Sequence, residues 1–245
     1  MLKTVYPRVK EANPEMQIII IGGLLLDCDP ENVPRHKIDC LSSKFFEGIL
    51  KNGGSLYFDG VGFHSFDYAY GGYYYENPNW HNASDKTGPV LVAKAAYLKN
   101  SMEQFGITNK FIIITETALL CVGECNTEYH DLALAYYLTH SYAYAVTKDL
   151  RASLWYSIFG WLGSGLLDQD LSQLPAYESF KVANQKIGSV SSSGRSMSTK
   201  ESEDWNLLMR EGKYGYYGRV MVKIPQSCCQ LSQYQFVMRW EILNL

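Results

Sequence analysis

The chain of 245 residues, 47% of them hydrophobic, is long enough to bury one large α/β core, with or without a small appendage. A formal net charge of −3 gives no electrostatic reason to expect a nucleic-acid partner. The longest apolar run, residues 18–26, is nine residues with two glycines, too short to cross a bilayer.

Residues 4–13 read as the end of a helix with Val5, Val9 and Ala12 on one side and Pro7 marking its first turn. Asn13-Pro14 breaks it. Residues 16–23 read as a buried strand ending in Gly22-Gly23; the third glycine and the spacing of a dinucleotide fingerprint are missing, so no phosphate cradle is expected. A polar loop over 27–39 follows, carrying Asp27 and Asp29, which read as loop acids. The pattern over 42–52 predicts a helix capped by Ser42/Ser43, striped by Phe45, Phe46, Ile49 and Leu50 and ended by Gly53-Gly54. A strand over 57–64 ends on His64.

Residues 65–88 read as a long loop holding Tyr68, Tyr70, Tyr73, Tyr74, Tyr75, Trp80 and His81, an aromatic density that argues against disorder. Asn82-Ala83-Ser84 is a glycosylation sequon, meaningful only in a secreted eukaryotic protein. Pro89 starts a helix striped by Leu91, Ala95, Leu98, Met102 and Phe105 and stopped by Gly106. The apolar run Phe111-Ile112-Ile113-Ile114 reads as a strand buried on both faces, with Thr115 and Glu116 at its C-terminal end. A helix over 128–148, a strand over 152–159 through Trp155 and Tyr156, and a helix over 175–187 complete the series. This β–α alternation implies a parallel sheet with right-handed crossovers. Residues 188–203 are Ser-rich and read as a linker; within 204–245, segments 214–223 and 234–242 read as strands of a small β appendage or a disordered tail.

Glu116 has two readings. It is a solvated acid in a strand-to-helix loop, or a chemical group at the strand end where parallel barrels place their active sites. His64 shares that position and is either a structural hydrogen-bonder or part of the same site. The 19 Tyr and 5 Trp suit a surface that stacks on sugar faces, and equally the filling of helix–sheet contacts. The six cysteines fall in near pairs, Cys28/Cys40, Cys121/Cys125 and Cys228/Cys229. They fit disulfides of a secreted protein and free buried thiols alike, and their spacings make a poor zinc site. Residues 1–11 carry Lys3, Arg8, Lys10 and Glu11 and contain no apolar signal segment.

An ordered set of stretches carries a family resemblance: Tyr6-Pro7 with Asn13-Pro14, Gly22-Gly23-Leu24-Leu25-Leu26-Asp27, Phe46-Glu47-Gly48-Ile49-Leu50, and Tyr57-Phe58-Asp59 with Phe63-His64. Thr115-Glu116, Leu154-Trp155-Tyr156, and Gly165-Leu166-Leu167 with Pro175-Ala176-Tyr177 continue it. Over about residues 4–188 the chain resembles the C-terminal half of a clan A (β/α)8-barrel glycoside hydrolase, family 39-like. The resemblance implies an α/β fold, a partial TIM barrel of strands five to eight with their helices in residues 1–187. It implies retaining hydrolysis of O-glycosyl bonds in an oligo- or polysaccharide, without cofactor or metal. It places the nucleophile on Glu116, an orienting group on His64 and the sugar-stacking floor on Trp155; Tyr68, Trp80, Tyr156 and Trp161 are further candidate substrate contacts.

The pattern departs at one point. The clan's acid/base is a Glu after an Asn at the end of strand four, and no Asn-Glu dipeptide occurs in this sequence. Strands one to four have no counterpart either. The chain therefore reads as a fragment or half of a split protein, with a missing N-terminal half-barrel or self-association as the implied partner. The alternatives to a glycosidase are a non-catalytic carbohydrate-binding remnant and an inactive fragment.

Overall fold

The β-branched and aromatic runs pair into a parallel sheet. The computed structural model describes residues 1–21, 26–31, 40, 44–70, 75–80, 88–123, 127–187, 205–212, 215–222 and 236–239. These fall in two compact units, Met1–Ser191 and Ser192–Leu245. In the first unit, β1 (Ile19–Ile20), β2 (Gly60–Ala69), β3 (Tyr75–Glu76), β4 (Phe111–Cys121) and β5 (Ser153–Trp155) share one sheet. Its order is β1-β2-β4-β5, all parallel, with β3 antiparallel to the end of β2. The helices are α1 (Leu2–Ala12), α2 (Phe45–Lys51), α3 (Leu91–Gln104), α4 (Thr127–Thr147) and α5 (Pro175–Lys186).

The two faces of the sheet differ. On the outer face Ile20, Val61, Phe63, Ile112 and Ile114 are buried with Phe46 and Leu50 of α2 and Leu91, Ala95 and Leu98 of α3. Further along the strands Ala69 and Leu119 pack with Leu134, Tyr137 and Leu138 of α4 and with Ala176 and Ala183 of α5. Burying such side chains fully contributes about 1.5–3 kcal/mol each, so this face drives folding. On the inner face His64, Phe66 and Tyr68 alternate with those buried positions and are only half-buried, and Leu154 is 51% exposed.

The strand ends differ from the sequence expectation. The loop expected from residue 65 is strand as far as Ala69, and β4 continues past Glu116 to Cys121. The extensions pair with each other, Ser65↔Thr117 through Ala69↔Cys121, and Thr117–Leu120 are buried. Conversely, the strand expected over 16–23 pairs only at Ile19–Ile20, and that over 152–159 only at Ser153–Trp155. Pro7 lies in the interior of α1, not its first turn, and Phe105 ends α3 exposed. The second unit is an antiparallel sheet of β6 (Trp205–Gly212), β7 (Gly215–Val222) and β8 (Phe236–Arg239) in that order. β7 and β8 match two expected strands, whereas β6 was not expected.

Cys28 and Cys40 form a disulfide with Cα atoms 5.4 Å apart, and Cys121 is also disulfide-bonded. Gly22-Gly23, Ser42/Ser43, Tyr73, Tyr74, His81, the sequon, Cys125, Cys228, Cys229 and the Ser-rich stretch lie outside the described residues.

Asp67 ties two helices to β2. Its Oδ2 accepts the Val90 backbone N–H ahead of α3 at 2.9 Å and the Tyr137 hydroxyl of α4 at 2.8 Å. Burial pushes its pKa up to about 6, against these hydrogen bonds and the Lys94 ammonium. It is therefore mostly ionised at neutral pH. Replacing Tyr137 with Phe leaves a buried carboxylate short of one donor. Urea unfolding at pH 7.5 is expected to show a loss of about 2 kcal/mol.

Candidate active site

Ile112 and Ile114 face the outer core, so simple alternation would put Glu116 there too. The pairing prevents it. Phe63 pairs with Ile114, but the next residue, His64, pairs with Glu116. Thr115 is an extra residue, a β-bulge, and its hydroxyl donates to the Phe63 carbonyl at 3.1 Å. Past the bulge the parity of β4 is reversed, and Glu116 turns to the inner face beside His64.

The two side chains meet there. His64 Nδ1 lies 3.1 Å from Glu116 Oε2, and their side chains are 24% and 33% exposed. Burial lowers the His64 pKa from its ordinary 6.5, against the pull of the Glu116 carboxylate; Lys94 lowers it further and Asp27 opposes. The imidazole is thus neutral at pH 7. A carboxylate only accepts, so the proton that faces Glu116 belongs on Nδ1.

The neighbours arrange themselves by the same alternation. Phe66, two residues beyond His64, meets its ring edge-on at 5.9 Å and meets Tyr156 at 6.1 Å. Tyr156 and Tyr68 therefore share the face of Glu116, half-buried. Trp155 does not. It pairs with the outward-facing Thr117, packs on Tyr137 at 6.3 Å and donates its indole N–H to Ser164 at 3.0 Å, so the ring expected as a sugar floor lies behind the sheet. Trp80 is corrected as well: it is 3% exposed within the core, with its indole N–H bonded to the Leu26 carbonyl at 2.7 Å. Trp161 is 59% exposed on the loop after β5.

One residue went unread in the sequence. Lys94 of α3 is buried, and its ammonium donates to the His64 carbonyl at 2.9 Å and stands 5.8 Å from the Trp80 ring centroid. Burial pulls its pKa down to about 8, opposed by Asp27 and Asp67. The signal was available: Lys94 stands three residues after Leu91 and four before Leu98, on the apolar stripe, where an unsupported charge is costly. Asp27 is exposed at the same end of the sheet, and its charge reaches His64, Lys94 and Tyr68. Among the described residues no group of three or more His, Cys, Asp or Glu side chains is placed to hold a metal ion.

The fold is similar to part of a (β/α)8 barrel of the kind seen in solved glycoside hydrolases. A family 39 glycoside hydrolase from Bacteroides cellulosilyticus WH2 superposes with a TM-score of 0.53 at 17% identity, over 92% of this chain and 44% of that one. A glucosidase from Croceicoccus marinus gives 0.51 at 14% identity, over 93% of this chain and 44% of its own. The chain spans less than half the length of either. No protein-family model matches the sequence, and the search of curated proteins returned no match.

The charges around His64 give an opposed pair of shifts. Glu116→Gln removes a carboxylate that raises the imidazole pKa, so the midpoint falls; Lys94→Met removes a cation that lowers it, so the midpoint rises. Ring NMR titration of the two variants against the unaltered protein checks both signs.

Proposed function

We propose that this chain carries the nucleophile half of a retaining glycoside hydrolase site acting on O-glycosyl bonds of an oligo- or polysaccharide. The observation that supports this most is the His64–Glu116 contact of 3.1 Å on the inner face of a parallel sheet. Glu116 attacks the anomeric carbon, the bond to the leaving oxygen breaks, and a glycosyl ester forms on Glu116. Water then cleaves the ester. His64 orients the carboxylate, and Tyr156, Tyr68 and the exposed Trp161 offer ring faces and a hydroxyl to the sugar.

A retaining reaction needs a second carboxylate roughly 5–5.5 Å from the first, to protonate the leaving oxygen and later activate water. Among the described residues Glu116 is the one acid on the inner face of β1, β2, β4 and β5. We assign the acid/base to a complementary half-barrel that lies against this face, and the nucleophile to residues 1–187.

An activated 2-deoxy-2-fluoro glycoside with a 2,4-dinitrophenolate leaving group departs without protonation, so it isolates the nucleophile. Intact mass is expected to show a stable glycosyl adduct mapping to Glu116, absent in Glu116→Gln. No adduct from soluble, folded protein counts against catalysis by this chain. That no second acid stands on the inner face of β1, β2, β4 and β5 among the described residues favours a second reading, a non-catalytic sugar-binding surface. That reading predicts sugar-induced tryptophan fluorescence changes that survive Glu116→Gln.

A further inference from the structure

Asp27 is an exposed residue in a segment otherwise buried. Leu26, Cys28 and Asp29 are each 3% exposed or less. The backbone is held on both sides of it. Before it, the Leu26 carbonyl accepts the Trp80 indole N–H at 2.7 Å. After it, Cys28 is bonded to Cys40, and the Asp29 N–H donates to the Asn79 carbonyl at 2.8 Å. The Asn79 N–H in turn donates to Asn77 Oδ1 at 3.0 Å, and Asn77 Nδ2 donates to the Phe66 carbonyl at 2.7 Å. A chain of hydrogen bonds therefore runs from the segment around Asp27 to β2, two residues beyond His64.

The carboxylate itself needs a reason to stand there. The segment stands close to His64: the Trp80 indole that holds Leu26 has its ring 5.8 Å from the Lys94 ammonium, which donates to the His64 carbonyl at 2.9 Å, and the Asp27 charge is felt at His64, Tyr68 and Lys94. An exposed carboxylate whose backbone is fixed on both sides is a pre-organised acceptor: ordering it on binding costs little. Sugar hydroxyls are its natural donors, because hydrogen bonds to an ionised acceptor are the strong ones.

We propose that Asp27 binds hydroxyl groups of a sugar seated against Glu116, and that the Cys28–Cys40 disulfide holds it in that position. This rests on the reading of the Glu116 face as a glycoside site. Reduction of the disulfide would then weaken binding without touching the nucleophile.

The test uses the full chain with its disulfides formed and the 2,4-dinitrophenyl 2-deoxy-2-fluoro glycosides described above. In Asp27→Asn the inhibitor concentration for half-maximal labelling rate is expected to rise about tenfold, with the limiting rate little changed. A Cys28→Ser/Cys40→Ser double variant is expected to reproduce the rise while leaving the other disulfide in place. His64 ring titration reads the carboxylate's position without any sugar, and its midpoint is expected to fall in both variants. Labelling of Asp27→Asn at the unaltered concentration dependence overturns the inference and leaves Glu116 as nucleophile. A double variant that folds and keeps both the unaltered labelling and the unaltered His64 midpoint overturns the role of the disulfide. If it does not fold, Asp27→Asn, an exposed substitution, still decides the binding role. Unaltered protein that no glycoside labels overturns the Glu116 reading, and the role of Asp27 with it.

Discussion

A single inserted residue decides what this sheet can do. Thr115 occupies a bulge opposite the Phe63–His64 step, and every residue of β4 beyond it points to the face opposite the one alternation would give. Ile112 and Ile114 keep their places in the outer core, and Glu116 gains the inner face. Without the extra residue the carboxylate would enter a layer of Phe63, Leu91 and Leu98, where an ionised acid has no compensation. The Thr115 hydroxyl helps fix the bulge by donating to the Phe63 carbonyl, one residue before the histidine that Glu116 meets. The same count recurs against β5, where Ile114 pairs with Ser153 but Thr117 with Trp155. β5 carries no extra residue, so plain alternation from Ser153 keeps Trp155 outward and turns Tyr156 inward, to the face that the bulge gives Glu116.

Behind the site the outer layer is polar where it needs to be. Asp67 and Lys94 are both buried under β2, and each has hydrogen bonds to fixed backbone or hydroxyl groups. Burial moves their pKa values toward each other, to about 6 and about 8, which leaves both charged at neutral pH. The pair lies on the far side of the strand from His64, yet Lys94 reaches through to its carbonyl and its field. Packing of α3 on the outer face thus sets the electrostatics of the inner one. A substitution in the helix stripe that shifts Lys94 would be felt at an imidazole it never touches.

The sequence made the position of the site legible but not its orientation. His64 and Glu116 stand near the ends of apolar runs, and that placement was enough to pair them. Their shared face was not readable, because the spacing of Ile112, Ile114 and Glu116 is even and strand parity alone puts all three together. Only pairing with β2 reveals the bulge. Trp155 and Tyr156 show the same dependence: adjacent residues take opposite faces, and which of the two shares the face of Glu116 depends on register. Trp80 looked like a platform because aromatic loops often are, whereas its indole N–H had a better partner in the Leu26 carbonyl. Lys94 was legible in principle, as a cation at i+3 and i−4 to leucines of its own stripe.

The exposure of the inner face bears on how Glu116 would be used. At 33% exposed its side chain keeps part of its hydration, and the His64 contact acts through a screened field. Covering the face with another half-barrel, or with a bound sugar, removes that water. Desolvation then raises the cost of a charged carboxylate and strengthens each remaining contact to it. His64 is already held neutral by burial, so it offers a dipole and a proton on Nδ1, not a countercharge. Whatever closes over the face must therefore bring hydrogen-bond donors of its own to partner the Glu116 carboxylate. A closing surface made only of apolar side chains would match the exposed Leu154 and Ile19 and supply none.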